Sequence, residues 1–184
     1  DVKSFPVVEL VFNPEANLVD YLVSPARVSI EIEAKAREIS ESLIRKMEMV
    51  GLLAVEMFVT EAGEVLINEM APRPHNSGHH TIEACFTSQY DQHLRSIMNW
   101  PLGSTVLRCA AAMINLLGEK GYEGKAIYQG LENAIGETGV FPHIYGKEMT
   151  KPYRKMGHVT VLDNTTDDAL IKAQRTQELI KVIA

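Results

Sequence analysis

The chain has 184 residues, 46% of them hydrophobic and 23% charged, with a formal net charge of −6. That composition supports a buried core and argues against disorder, and no window approaches the roughly 18 uninterrupted apolar residues of a membrane span. The acidic balance excludes indiscriminate nucleic-acid binding, although a small phosphorylated substrate needs only a local basic site. Two cysteines, Cys85 and Cys109, are too few for a disulfide scaffold and read as reduced core residues of a cytosolic protein. The chain opens Asp1-Val2-Lys3-Ser4-Phe5 without an initiator Met or a signal peptide. The expectation is therefore a piece of a longer polypeptide.

Residues 5–12 are rich in β-formers, with Pro6 near the start or on an edge. Asn13-Pro14-Glu15-Ala16-Asn17 is turn chemistry. A long helix is predicted next. Ser24 is placed to cap it and Pro25 suits its first position; Val28, Ile32, Ala36, Ile39, Leu43, Met47 and Val50 recur at helical spacing, and Gly51 supplies the stop. Leu52–Val59 and Val65–Met70 then read as a hairpin around 60–64. Ala71 to His80 holds two prolines and a glycine among polar groups and must be a loop. Thr81 to about Met98 looks helical, and Trp100-Pro101-Leu102-Gly103 is the expected boundary between a first unit, 1–100, and a second, 101–184. Beyond it a strand is expected over Thr105–Leu117, a short irregular or helical stretch over 129–138 and a strand over His158–Leu162. Thr166-Asp167-Asp168 opens a last helix ending near Ile183, with acids in the first turn where the helix dipole favours them.

Chemistry concentrates in the hairpin. A two- or four-residue loop makes pairing symmetric about Ala62 and Gly63 and sets Glu56 opposite Glu69. Opposed carboxylates on one face repel. A shared proton or a hard divalent cation completed by phosphate oxygens offsets that, whereas on a solvated sheet face such acids are ordinary. A three-residue loop would spoil the register. Arg73, His75 and Asn76 follow closely; Arg offers a fork for carboxylate, bicarbonate or phosphate, and His and Asn can orient an oxyanion. Gly78 permits close backbone approach, and a helix starting at Thr81 would add an anion site at its N-terminus. A competing zinc set of His75, His79 and His80 lacks the Cys or His needed to complete a tetrahedron. Later, Lys147, Lys151, Arg154 and Lys155 surround Tyr153, as a local anion site or as a solvated loop.

The run Ile67-Asn68-Glu69-Met70-Ala71-Pro72-Arg73-Pro74-His75-Asn76-Ser77-Gly78-His79 closely resembles the N5-carboxyaminoimidazole ribonucleotide synthetases, ATP-grasp carboxylases of microbial purine biosynthesis. Further matches are Thr81-Ile82-Glu83-Ala84-Cys85, the stretch from Thr87 to Arg95, Asn115-Leu116-Leu117-Gly118 and Arg154-Lys155-Met156-Gly157-His158. The resemblance implies an α+β fold: the second half of an ATP-grasp domain, an antiparallel sheet with helices, followed by a small β-rich C-terminal domain. It implies ATP-dependent carboxylation of aminoimidazole ribonucleotide with bicarbonate through carboxyphosphate, by a cytoplasmic homodimer using ATP and Mg²⁺, with Mn²⁺ as an alternative. Neither nucleic acid nor membrane is an expected partner. Carried over, Glu56 and Glu69 resemble the metal ligands, and Asn68 and Glu69 the nucleotide contacts. Arg73, His75 and Asn76 are similar to the catalytic groups around bicarbonate and carboxyphosphate. Arg73 with Lys147, Arg154 and Lys155 matches the substrate-binding cations, Lys147 and Arg154 at the 5′-phosphate.

Two positions depart from the pattern. Ala71 stands where many ATP-grasp enzymes place an Asn metal ligand, and Leu10-Val11-Phe12 stands where many synthetases have Asn-x-His. Because the family also uses amino-terminal lysines on ATP, the expectation is that these 184 residues alone are inactive. Two alternatives stay open: another ATP-grasp carboxylase or ligase, and a non-catalytic assembly module.

Overall fold

The computed structural model describes residues 1–13 and 18–184, so the expected turn at Asn13–Asn17 lies, beyond Asn13, outside the described residues. The elements run β1 Glu9–Asn13, β2 Leu18–Ser24, α1 Ile30–Lys46, β3 Ala54–Val59, β4 Val65–Ala71, α2 Thr81–Ala84, α3 Gln89–Ile97, β5 Ala110–Leu117, β6 Gly124–Lys125, β7 Ile127–Gln129, α4 Leu131–Ala134, β8 Val140–Ile144, β9 Met149–Thr150, β10 Lys155–Asp163, α5 Thr166–Leu179 and β11 Lys181–Ile183. They form two compact units, one of residues 1–9 and 25–108, the other of residues 10–24 and 109–184.

The first unit holds α1 against the β3–β4 hairpin. α1 starts at Ile30 rather than Pro25, because Ser24 is the buried last residue of β2 and pairs with Ala111. The cap is Ser29, whose hydroxyl accepts from the Ile32 amide at 3.4 Å. Glu31 and Glu33 occupy its first turn and Arg45 and Lys46 its last, matching the helix dipole. The helix expected over 81–98 is two helices. Cys85 is extended and bridges Leu107, the Phe86 amide donates to Val106, and Ser88 caps α3 by accepting from Asp91. That pairing also removes residues 105–109 from the expected strand, leaving β5 from Ala110.

Trp100–Gly103 is not the boundary. Gln92 on α3 donates to the Gly103 carbonyl and accepts from its amide, both at 2.9 Å, and Lys3 donates to the carbonyls of Leu102 and Gly103. These bonds keep the Pro-Gly segment in the first unit, and the division falls after Arg108.

The second unit is a five-stranded sheet, β1-β2-β5-β10-β8, whose β2, β5, β10 and β8 pair antiparallel. α5 lies on one face of β5 and β10. There Ala112, Ile114, Val159 and Val161 meet Ala169, Leu170 and Ala173 in the core. Burial this complete is worth about 1.5–3 kcal/mol for each Val, Leu or Ile. The last helix stops at Leu179, before the expected Ile183. Ile180 and Val182 are buried while Lys181 is exposed, a two-residue period, and Lys181–Ile183 pairs with β7. Among the described residues no helix is long and apolar enough to cross a membrane.

Candidate functional site

In the first unit the hairpin does set Glu56 opposite Glu69, by a different route from the even loop expected. Val59 pairs Val65, Phe58 pairs Leu66 and Met57 pairs Ile67, so residues 60–64 form an odd, five-residue loop. Continued regularly, that register would oppose Glu56 to Asn68 and turn Glu69 to the other face. The ladder instead slips between Glu56 and Met57, and Asn68 is the extra residue of a β-bulge. Bulges re-aim side chains; this one brings both carboxylates to one face.

His75 completes the cluster. Its Nδ1 lies 3.7 Å from Glu56 Oε1 and its Nε2 3.7 Å from Glu69 Oε1. One donor atom from each of the three residues lies within 4.8 Å of the others. Ligands 2.0–2.1 Å from an octahedral cation are spaced about 3 Å apart when adjacent and about 4 Å when opposite. Small side-chain rotations would close the three around one ion. The hard carboxylate oxygens fit Mg²⁺, and the imidazole widens the fit to Mn²⁺. Glu69 is 59% exposed and leaves that side open to a ligand, whereas Glu56 is 17% exposed. Ala71 is buried and pairs with Ala54, so it offers the cluster nothing.

The loop that carries His75 is held by a residue the sequence reading did not single out. Gln89, at the start of α3 and 2% exposed, accepts from the His75 amide at 2.8 Å and donates to its carbonyl at 2.9 Å. A Cβ on Gly78 would collide with the Gln89 carboxamide, so glycine is required there. Thr81 Oγ1 donates to the Gly78 carbonyl and accepts from the Gln89 amide. The visible signal was a polar residue at the first position of an amphipathic helix, where no core contact calls for it. Arg73 is exposed and its guanidinium donates to the Pro74 carbonyl, while Asn76 opens a short 3₁₀ turn capped by His75.

The three histidines do not converge. His79 Nδ1 meets Gln89 Nε2 and Tyr90 Oη, and His80 is buried with Nδ1 on the Ser77 carbonyl. The expected anion site at Thr81 also falls, since α2 is a four-residue helix. Burial pushes the His80 imidazole down to about 4; the Ser77 carbonyl opposes the shift and neighbouring His79 adds to it. An unfolded chain takes up that proton near 6.5 and the native state resists it to about 4. Stability is then full above pH 6.5 and falls by about 3 kcal/mol as pH drops toward 4. In urea titrations at pH 7.5 and 4.5, His80→Gln should lose about 2–3 kcal/mol less than the parent; equal losses would refute this.

In the second unit the cations gather around the turn between β9 and β10. Lys147 Nζ donates to the Lys155 carbonyl, and Arg154 Nη1 donates to the Met149 carbonyl at 2.9 Å. An ammonium has three donors and a guanidinium five, so each retains capacity for an anion. Lys151 is exposed. Tyr153, at φ 62°, makes the turn that presents Arg154. The turn is docked on Gly118, whose amide donates to the Arg154 carbonyl at 2.9 Å and whose carbonyl accepts from the Tyr153 amide at 2.8 Å.

Residues 1–90 match the ATP-grasp domain family and residues 111–172 the phosphoribosylaminoimidazole carboxylase C-terminal domain. The N5-carboxyaminoimidazole ribonucleotide synthase of Bacillus subtilis is 42% identical over 168 residues, covering 91% of this chain and 42% of that protein. The crystal structure of the Thermotoga maritima synthetase superposes with a TM-score of 0.89 at 50% identity, covering 98% of this chain and 48% of that one. An Aspergillus clavatus synthase, in complex with ADP and 5-aminoimidazole ribonucleotide, does so with a TM-score of 0.84 at 34% identity, over 95% of this chain and 46% of that one. The chain spans somewhat less than half the length of these relatives. With an ATP-grasp segment joined to that C-terminal domain, it belongs to the N5-carboxyaminoimidazole ribonucleotide synthetase family.

Proposed function

We propose that this protein carboxylates 5-aminoimidazole ribonucleotide with bicarbonate at the expense of ATP, giving the N5-carboxyamino product for purine biosynthesis. The observation that carries the reading is the Glu56–Glu69 pair, brought to one face by the Asn68 bulge with His75 between the two carboxylates. Glu56 and Glu69 would hold Mg²⁺, or Mn²⁺ in its place, and Asn68 and Glu69 would contact the nucleotide. The bound cation would neutralise phosphate charge during transfer.

The remaining roles belong to the chain's own side chains. Bicarbonate oxygen takes the γ-phosphoryl group, releasing ADP and forming carboxyphosphate. Arg73, with His75 and Asn76, binds and orients that anion through charge-assisted hydrogen bonds. The exocyclic amine of the ribonucleotide then attacks the carboxyl carbon, phosphate leaves, and the amine loses its proton. Lys147, Arg154 and Lys155 hold the ribonucleotide 5′-phosphate, a dianion suited to a fork and point charges together. A homodimer and a cytoplasmic location belong to the same reading.

The test is ADP formation by the protein as the cell makes it, supplied with Mg-ATP. ADP release that requires both bicarbonate and 5-aminoimidazole ribonucleotide supports the proposal. Release stimulated by formate or by another amine would move the activity to a different ATP-grasp ligase. Absence of both turnover and ligand heat in calorimetry would favour an assembly role.

A further inference from the structure

The face of the second unit's sheet opposite α5 carries an aromatic group beside the basic turn. His158 on β10 pairs with His143 on β8, and their rings stack with centroids 4.4 Å apart and planes 11° apart. Tyr145, just past β8, places its hydroxyl 3.0 Å from His158 Nδ1, and its amide donates to the Met156 carbonyl at 3.0 Å. The Lys147 ammonium lies 5.7 Å from the centroid of the Tyr145 ring, inside the range of a cation–π contact. His158 is 2% exposed and sits in the middle of a paired strand, so it is the fixed end of the chain of contacts.

We propose that Tyr145 is a positioning residue for Lys147, its own ring fixed by His158, so that the ammonium is aimed at a phosphate before the ligand arrives. The inference rests on the reading of Lys147 as a ligand of the ribonucleotide phosphate. Lysine carries its charge on a flexible four-carbon stem, and ordering that stem on binding costs affinity. The aromatic face and the Lys155 carbonyl hold two sides of the ammonium. The hydroxyl-to-imidazole bond keeps the ring from swinging away from the turn.

A double-mutant cycle in the protein as the cell makes it tests this, read as kcat and as separate KM values for 5-aminoimidazole ribonucleotide and ATP. Lys147→Ala should raise the ribonucleotide KM by about 10-fold. Tyr145→Leu should raise it about 3-fold, and Tyr145→Phe, which keeps the ring and loses its anchor, by less. In both Tyr145 variants kcat and the ATP KM stay at the parent values. In the Lys147→Ala background Tyr145→Leu should add nothing. An equal increment in both backgrounds, or no increment in either, overturns the positioning role while leaving the phosphate site intact. An unchanged KM in Lys147→Ala overturns the phosphate reading itself. Tyr145 is 37% exposed and Phe conserves its volume, so the Tyr145→Phe arm remains readable even if Tyr145→Leu folds poorly.

Discussion

Glu69→Gln is expected to lower kcat by about 100-fold or more at saturating ATP and ribonucleotide, without unfolding the protein. The substitution is isosteric and keeps the bulge and the ladder. What it removes is one of two negative charges available to a divalent cation, and phosphoryl transfer depends on positioning and charge neutralisation more than on any other term. The opposed carboxylates repel each other in the cation-free protein, so their loss should leave the unfolding midpoint unchanged or raise it by the equivalent of a few tenths of a kcal/mol. Falling activity with undiminished stability is the signature that separates a metal ligand from a structural acid. Because Glu69 is 59% exposed, excess Mg²⁺ should restore part of the rate, and Glu56→Gln, at a 17% exposed side chain, should be rescued less. Near-parental kcat in Glu69→Gln at low Mg²⁺ would refute the assignment.

The same pair shows what a sequence carries and what it hides. The opposition of Glu56 and Glu69 follows from counting along the hairpin only if the loop is even; the loop is odd, and the bulge at Asn68 restores the pairing. A bulge leaves no compositional mark in Ile67-Asn68-Glu69, so the right pair was reached through the wrong ladder. The sequence reading starts the helix five residues before Ile30 because Ser24-Pro25 is as good a capping pair as Ser29-Ile30; tertiary pairing of Ser24 with Ala111 decides between them. The break at Cys85–Ser88 and the short β11 are likewise set by distant partners, Leu107 and β7. The sequence was most legible where the signal is local: the proline-broken loop after Ala71 and the acid-rich start of the last helix at Thr166-Asp167-Asp168. Gln89 escaped because its partners are the main chain of His75, fourteen residues away.

Gly118→Ala is expected to damage the second unit severely, and to act on substrate binding as well as on stability. A Cβ at this position would fall within 3.0 Å of both the Lys151 carbonyl and Thr150 Oγ1. Thr150 is itself buried, and the Lys151 contact is main chain, so neither can step aside cheaply. Relief requires the 150–154 turn to move outward, which breaks the two hydrogen bonds that Gly118 makes with Tyr153 and Arg154. Overpacking at about 1–3 kcal/mol and two bonds at about 0.5–1.5 kcal/mol each give a loss of about 2–4 kcal/mol once partial relaxation is allowed. For a chain of this size that lowers Tm by about 10 °C. The displaced turn carries Arg154, whose guanidinium is oriented through the Met149 carbonyl, so the ribonucleotide KM should rise about 10-fold at a temperature where the variant is still folded. The KM for ATP should not move. A destabilised variant with an unaltered ribonucleotide KM would show that Gly118 holds the fold without setting the phosphate contact, and would detach the Asn115-Leu116-Leu117-Gly118 motif from the substrate site. A matched rise in KM for Gly118→Ala and Arg154→Ala, with no further rise when the two are combined, would show that the glycine acts through the arginine.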